Sequence, residues 1–167
     1  MSEIITDIEK YTKGWGSGLP ETKCGSGSTL GKTKIQRRFI EDTIKKYDIK
    51  TIADIGAGDL NWIKKTDLQG ASYQAYDLIP RNENVIEFNI IEEIAPKADL
   101  LLCFWVLNHL PIESSRKAIA NLLNSGSRYL MMTDRPVYYK SQPIEIQIPH
   151  IDRIDIQDGS WVKLCKI

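Results

Sequence analysis

Cysteine is scarce in this chain and its placement is uninformative for crosslinking. Cys24, Cys103 and Cys165 are odd in number, far apart and free of any Cys-x-x-Cys pair. That pattern argues against a disulfide framework and a thiolate zinc site, so no metal is expected and a reducing, cytoplasmic setting is. An excess of one charge is also missing. Lys plus Arg and Asp plus Glu number 22 each, which leaves no global field to draw nucleic acid or an anionic membrane. No stretch approaches 18 uncharged apolar residues, and the opening MSEIITDIEK lacks the basic start and apolar run of a secretory signal, so no membrane partner is expected. Repeats, linkers and low-complexity tracts are absent. A chain of 167 residues then fits one domain, burying roughly two-thirds of the surface its unfolded form exposes.

What is present divides into a glycine-rich leader and an alternating core. Residues 11–33 carry Gly14, Gly16, Gly18, Gly25, Gly27 and Gly31 and read as irregular, so 1–33 is taken as an N-terminal segment and 34–167 as the core. From Ile35 the apolar residues Ile35, Phe39, Ile40 and Ile44 recur at helical spacing with Lys and Arg between them, which predicts an amphipathic helix. KTIADIG, DLNWIKK, SYQAYD, NVIEFN and ADLLLCFWV follow and read as buried strands separated by helices, hence a parallel sheet. Pro111 at a start, Ile112, Ile119, Leu122 and Leu123 on one face and Gly126 beyond the end predict a second helix. RYLMMTD is a further strand. Asp158-Gly159 between two alternating runs of the tail signals a hairpin. The fold class predicted is a three-layer α/β sandwich, mostly parallel, with an antiparallel C-terminal hairpin.

The chemistry begins at Asp54-Ile55-Gly56-Ala57-Gly58-Asp59. An acid ends a strand and two glycines make the turn, where missing Cβ atoms admit unusual dihedrals and a close ligand. Asp77 closes the next strand, 23 residues on, at the edge where open α/β sheets bind ligands and where an acid can accept from both ribose hydroxyls. A dinucleotide fingerprint would need a third glycine where Asn61 stands, and Asp59 would repel a pyrophosphate. Asp54 is better explained by a cationic ligand; S-adenosyl-L-methionine carries both an ammonium and a sulfonium. The alternative is an ordinary strand-to-helix turn with Asp59 as its N-cap.

ADIGAGDLNW resembles the first motif of class I S-adenosylmethionine-dependent methyltransferases, and YDLIP their second strand with its ribose acid. In order, GWGSG, GSGSTLGKT, DIGAGDLNW, ADLLLCFWVLNHL and SGSRYLMMT resemble an uncharacterised bacterial and phage group of that family over residues 14–164. The resemblance implies a Rossmann-like class I methyltransferase fold and the cofactor S-adenosyl-L-methionine, but no substrate. Ala57 departs from the Cys or Gly common there, and the group often runs on past the last hairpin, which implies a trimmed chain without substrate-binding additions. By the family pattern Gly56 and Gly58 line the methionine part, Asp54 holds its amino group, Asp77 binds the ribose and Asn89 reads adenine, with Ala57 and Leu78 also at the cofactor. A plain turn role for Asn89 stays open.

GSGSTLGKT also imitates a phosphate-binding loop through Gly31-Lys32-Thr33. The imitation fails because Ser26 stands where the first Walker glycine belongs and no strand precedes it. In the methyltransferase reading Ser26, Ser28, Thr29 and Thr33 donate to the methionine carboxylate near the start of a helix at about Thr29, or act as caps. The leader becomes a lid, with Trp15 over the cofactor or acceptor or packed on the core. At the end of the fourth strand Phe104 and Trp105 reach the methyl-transfer edge, where an aromatic face stabilises a sulfonium or holds a flat acceptor; the alternative is that one of the two packs in the core. His109 is the candidate general base, with a turn-fixing role as its alternative. Asp134 and Arg135 face the same edge and bind an acceptor or pair with each other.

The motifs of adenine or cytosine amino methylation and the Pro-Cys nucleophile of cytosine carbon methylation are absent. The expected activity is methyl transfer to an unidentified acceptor by a monomer or homodimer without strong nucleic-acid affinity. The alternatives are a cofactor-cleaving enzyme and a non-catalytic scaffold subunit that binds the cofactor.

Overall fold

Residues 19–134, 137–139, 142–144, 148–156 and 160–167 are described by a computed structural model. Its strands alternate faithfully between two cores, as a pleated strand must when both faces are covered. In β1 (Thr51–Ile55) Ile52 enters one core and Ala53 and Ile55 the other; in β4 (Leu100–Cys103) Leu100 and Leu102 oppose Leu101 and Cys103. With β2 (Ser72–Asp77), β3 (Val85–Glu87), β5 (Tyr129–Asp134), β8 (Asp152–Asp155) and β9 (Trp161–Lys166) they form a seven-stranded sheet of order β3-β2-β1-β4-β5-β9-β8. The first five are mutually parallel, β9 runs antiparallel to β5, and β8 antiparallel to β9. This is the expected mostly parallel sheet with an antiparallel end. The turn residues Asp158 and Gly159 lie outside the described residues. A separate antiparallel pair, β6 (Val137–Tyr139) and β7 (Gln142–Ile144), follows β5.

Helix α1 (Lys34–Tyr47) covers the first core with Phe39, Ile40 and Ile44. Lys45 and Lys46 in its last turn suit the negative end of the dipole, and Asp48 ends it in the left-handed region at φ 51°. The helix starts at Lys34 rather than near Thr29; a 3₁₀ turn at Ser26–Ser28 and further turns precede it. Ile35 points outward at 51% exposure, and Gln36 takes the buried position in its place. Helix α2 (Ile112–Leu123) covers the second core through Ala118 and Leu122, with Pro111 as N-cap, while Leu123 lies outward.

The expectation of helices between all strands is corrected by the connections. DLNWIKK is not a strand, and its only helical part is a 3₁₀ turn at Ile63–Lys65. Leu60 sits at φ 61°, which no α-helix accommodates. Residues 78–84 and 88–99 link β2 to β3 and β3 to β4 without an α-helix. Among the described residues α2 alone is an α-helical crossover between parallel strands. Both β1 and β2 end at the carboxyl edge of the sheet, which sets Asp54 and Asp77 beside the glycine turn.

Candidate cofactor site

The turn after β1 is held on both sides. The N–H groups of Gly56 and Ala57 donate to the Tyr76 carbonyl at 2.8 and 3.0 Å, and Gly58 N–H donates to Asp77 Oδ2 at 2.8 Å. Gly56 and Gly58 have φ of 80° and 62°, where L side chains are strained. A Cβ on Gly56 would lie 2.2 Å from Val106 Cγ2, and one on Gly58 2.6 Å from Cys24 Sγ. Both glycines are therefore required by the fold itself. Asp77 is 2% exposed; its Oδ1 accepts from Ile79 N–H at 3.0 Å. These two backbone donors orient the carboxylate, an acceptor group suited to hydroxyl donors.

Asp54 is equally buried. Tyr73 Oη donates to its Oδ2 at 2.7 Å. Burial pushes the Asp54 carboxyl up to about 7; the Tyr73 hydrogen bond opposes that rise and the charge of Asp77 adds to it. Burial and the Asp54 charge hold the Tyr73 hydroxyl well above its usual value, and push the Cys103 thiol on β4 up to about 12.

Asp59 does not cap a helix. Its Oδ2 accepts from Thr22 Oγ1 at 2.9 Å and from Lys23 N–H at 2.7 Å, and its Oδ1 accepts from Asn61 N–H at 3.2 Å. Asn61 Nδ2 in turn donates to Glu21 Oε1 at 2.9 Å and to the Ser28 carbonyl at 3.0 Å. The segment from Leu19 to Thr33 is thus fastened across the glycine turn, as a lid would be, with Cys24 seated over Gly58. Burial and then Asp59 push the Cys24 thiol up to about 11. Sequence reasoning passed over Asp59 and Asn61 as lid anchors, and over Tyr73 altogether. Within the lid the hydroxyls of Ser28, Thr29 and Thr33 donate to the carbonyls of Cys24, Ser26 and Thr29 at 3.3, 3.0 and 2.9 Å. Ser26 opens the 3₁₀ turn.

Of the residues expected to frame an adenosine, Leu78 is exposed directly after β2. Asn89 sits in a turn, its Oδ1 accepting from Ile91 N–H at 3.0 Å and its own N–H donating to Glu93 Oε1 at 2.8 Å. Phe104 is the core aromatic of the pair after β4, edge-on to Trp62 with centroids 5.7 Å apart. Trp105 leaves the strand at φ 58°, with its backbone N–H on Thr133 Oγ1 at 2.7 Å and a buried indole Nε1 that has no hydrogen-bond partner among the described residues. A bulky residue held in the left-handed region at a sheet's ligand edge is the kind of strain found at functional sites. His109 ends the 3₁₀ turn Leu107–His109, half-buried, its Nε2 3.1 Å from Asn108 Nδ2. Asp134 is the last residue of β5, paired in register with Trp161. Trp15 and Arg135 lie outside the described residues. Among the described residues no three His, Cys, Asp or Glu side chains group to hold a metal, and no helix is long and apolar enough to cross a membrane.

Sequence comparison is silent: no family model matches the chain and no curated protein resembles it. Structural comparison is not. The N-methyltransferase NodS from Bradyrhizobium japonicum WM9, solved with S-adenosyl-L-homocysteine, superposes with a TM-score of 0.70 at 11% identity, over 98% of this chain and 97% of that one. The fold is that of the class I methyltransferases. The magnesium protoporphyrin IX methyltransferase ChlM from Synechocystis PCC 6803, with bound S-adenosylmethionine, matches at a TM-score of 0.64 and 13% identity over 98% and 96% of the two chains. An rRNA methylase from Escherichia coli matches at 0.61 and 15% over 99% and 75%. The class I methyltransferase fold is thus carried here by a sheet with few α-helical crossovers and with Asp54, Asp77 and the glycine turn at its carboxyl edge.

Proposed function

We propose that this chain is an S-adenosylmethionine-dependent methyltransferase. The observation that carries the reading is the pair of buried carboxylates, Asp54 and Asp77, flanking a turn of two positive-φ glycines at the carboxyl edge of β1 and β2. The donor set fits the cofactor. Asp77, oriented by the N–H groups of Gly58 and Ile79, offers a carboxylate to ribose hydroxyls, Asp54 offers a carboxylate to an ammonium, and exposed Leu78 offers apolar surface. When bound, the cofactor supplies an electrophilic methyl group on sulfur.

The chain's part is to position and to exclude water. The lid held by Asp59 and Asn61 closes over the turn. Trp105, whose buried indole N–H has no partner among the described residues, is assigned to the acceptor side, together with Trp15, Asp134 and Arg135. His109 is assigned as the base for an N–H or O–H acceptor, a role worth on the order of a hundredfold in rate. The solved structures of this fold include enzymes named for acceptors as unlike as a tetrapyrrole and rRNA, so the acceptor stays open, and the motif resemblance to the bacterial and phage group adds none.

The test is formation of S-adenosylhomocysteine from S-adenosylmethionine, measured with and without small-molecule, sugar and macromolecular acceptors. The reading expects product only with an acceptor, and a lower kcat without loss of cofactor affinity in His109→Ala. Loss of S-adenosylmethionine without any acceptor would replace it with cofactor cleavage.

A further inference from the structure

Asp54 and Tyr73 form a contact that cofactor binding alone does not explain. A carboxylate 2% exposed needs several donors to remain ionised. Among the described residues Asp54 has one, the Tyr73 hydroxyl at 2.7 Å. The titratable groups acting on it are Tyr73 and Asp77 from β2 and Cys103 from β4. None of them is a cation. Burial and Asp77 both favour the protonated carboxyl, and Tyr73 alone favours the anion.

The position of Tyr73 makes it a controlling element rather than filler. It precedes by two residues Ala75, the register partner of Asp54, so both side chains project from the same face of adjacent strands. The residue is half-buried and lines a groove of about 550 Å³ together with Leu60, Ile63, Leu68 and Ile86. Tyr73→Phe removes the hydroxyl that reaches Asp54 and keeps the ring that packs beside it.

We propose that Tyr73 is a positioning residue that holds Asp54 ready to exchange its proton for the ammonium of the cofactor's amino-acid end. The inference rests on the methyltransferase reading above. In the exchange the carboxyl O–H bond breaks, the proton passes to solvent, and the ammonium becomes the countercharge of the carboxylate, whose Oδ2 keeps the Tyr73 hydrogen bond. No covalent bond to the ligand forms. Binding of a ligand with an ammonium is then linked to release of one proton, whereas a nucleoside without one binds with no such linkage.

The experiment is calorimetric titration between pH 5.5 and 8.5, in buffers of different ionisation enthalpy, with two probes: S-adenosylhomocysteine and 5′-methylthioadenosine, which lacks the amino-acid end. For the parent chain, S-adenosylhomocysteine affinity should rise about tenfold per pH unit below neutrality and then level off, with close to one proton released at the acid end. The affinity of 5′-methylthioadenosine should be flat across the range. In Tyr73→Phe the S-adenosylhomocysteine profile should move to higher pH, lowering affinity at pH 7 about tenfold or more and recovering toward pH 8.5, with 5′-methylthioadenosine unchanged. A role for Tyr73 in packing alone would weaken both probes at every pH. Superimposable profiles for parent and variant, or no proton released by the parent, overturn the proposal, and the parent's proton count decides even if the variant does not fold. Failure of both probes to bind the parent would instead overturn the methyltransferase reading on which it stands.

Discussion

Replacing Asp54 by Asn should stabilise the cofactor-free protein, and by an amount that depends on pH. In the native state burial holds this carboxyl at about 7 against an ordinary value of 3.8. The native state therefore keeps a proton that the unfolded chain has released, so the contribution of this group to stability is greatest below about pH 4, falls as pH rises toward 7, and is flat above. A difference of roughly three pH units corresponds to about 4 kcal/mol lost by pH 8. Asn carries no proton and can still accept from the Tyr73 hydroxyl, so the variant does not pay that loss. For a chain of this length each kcal/mol moves Tm by roughly 2–4 °C. The Asp54→Asn protein should melt near the parent at pH 4.5 and roughly 10 °C above it at pH 8. Thermal unfolding of both proteins over that range, checked by urea titration, measures the gap, in which other titrating groups cancel. A gap that does not change with pH would refute the burial argument, and a gap that shrinks as pH rises would reverse its sign.

The remaining predictions concern the turn and its lid. Gly58→Ala places a Cβ against Cys24 Sγ at a φ of 62° and should destabilise by roughly 1–3 kcal/mol in urea unfolding; Gly31→Ala, which meets nothing within 4 Å, is the control and should change stability little. Asp59→Ala removes the acceptor for Thr22 and Lys23 and should raise hydrogen exchange across residues 19–30 while β1, β4 and β5 keep their protection. The Cys24 thiol, pushed up to about 11 by burial and then Asp59, should react with a disulfide reagent at pH 7.5 far more slowly than a free thiol, and faster in Asp59→Asn; Cys103 and Cys165, both buried, should not react in native protein.

Where the sequence was legible, one side-chain period decided the matter. SYQAYD and RYLMMTD became β2 and β5 across their cores because strand alternation and turn residues agreed. Asp54 and Asp77 were legible as a pair because a strand, two glycines and a second acid fix a known edge. DLNWIKK misled because three apolar residues, Leu60, Trp62 and Ile63, fall within four positions, while the chain there turns through a positive φ at Leu60 that apolar spacing does not report. Ile35 misled because helical spacing alone does not tell which of two neighbouring stripes faces the sheet, and Gln36 won the buried place. The Asp59 contacts to Thr22 and Lys23 span more than 35 residues, and local propensity carries no trace of such contacts. Tyr73 looked like any strand aromatic until its hydroxyl was seen on Asp54. Gly56→Val would drive a Cβ into Val106 and report on folding rather than on binding, which makes Asp77→Ala the better probe of the cofactor site.

The most direct test of the central claim is calorimetric titration of the purified chain with S-adenosylmethionine, S-adenosylhomocysteine, NAD and ATP in parallel. The account predicts micromolar-range binding of the first two, its loss in Asp77→Ala, and no comparable binding of NAD or ATP. Binding of NAD or ATP alone would contradict it.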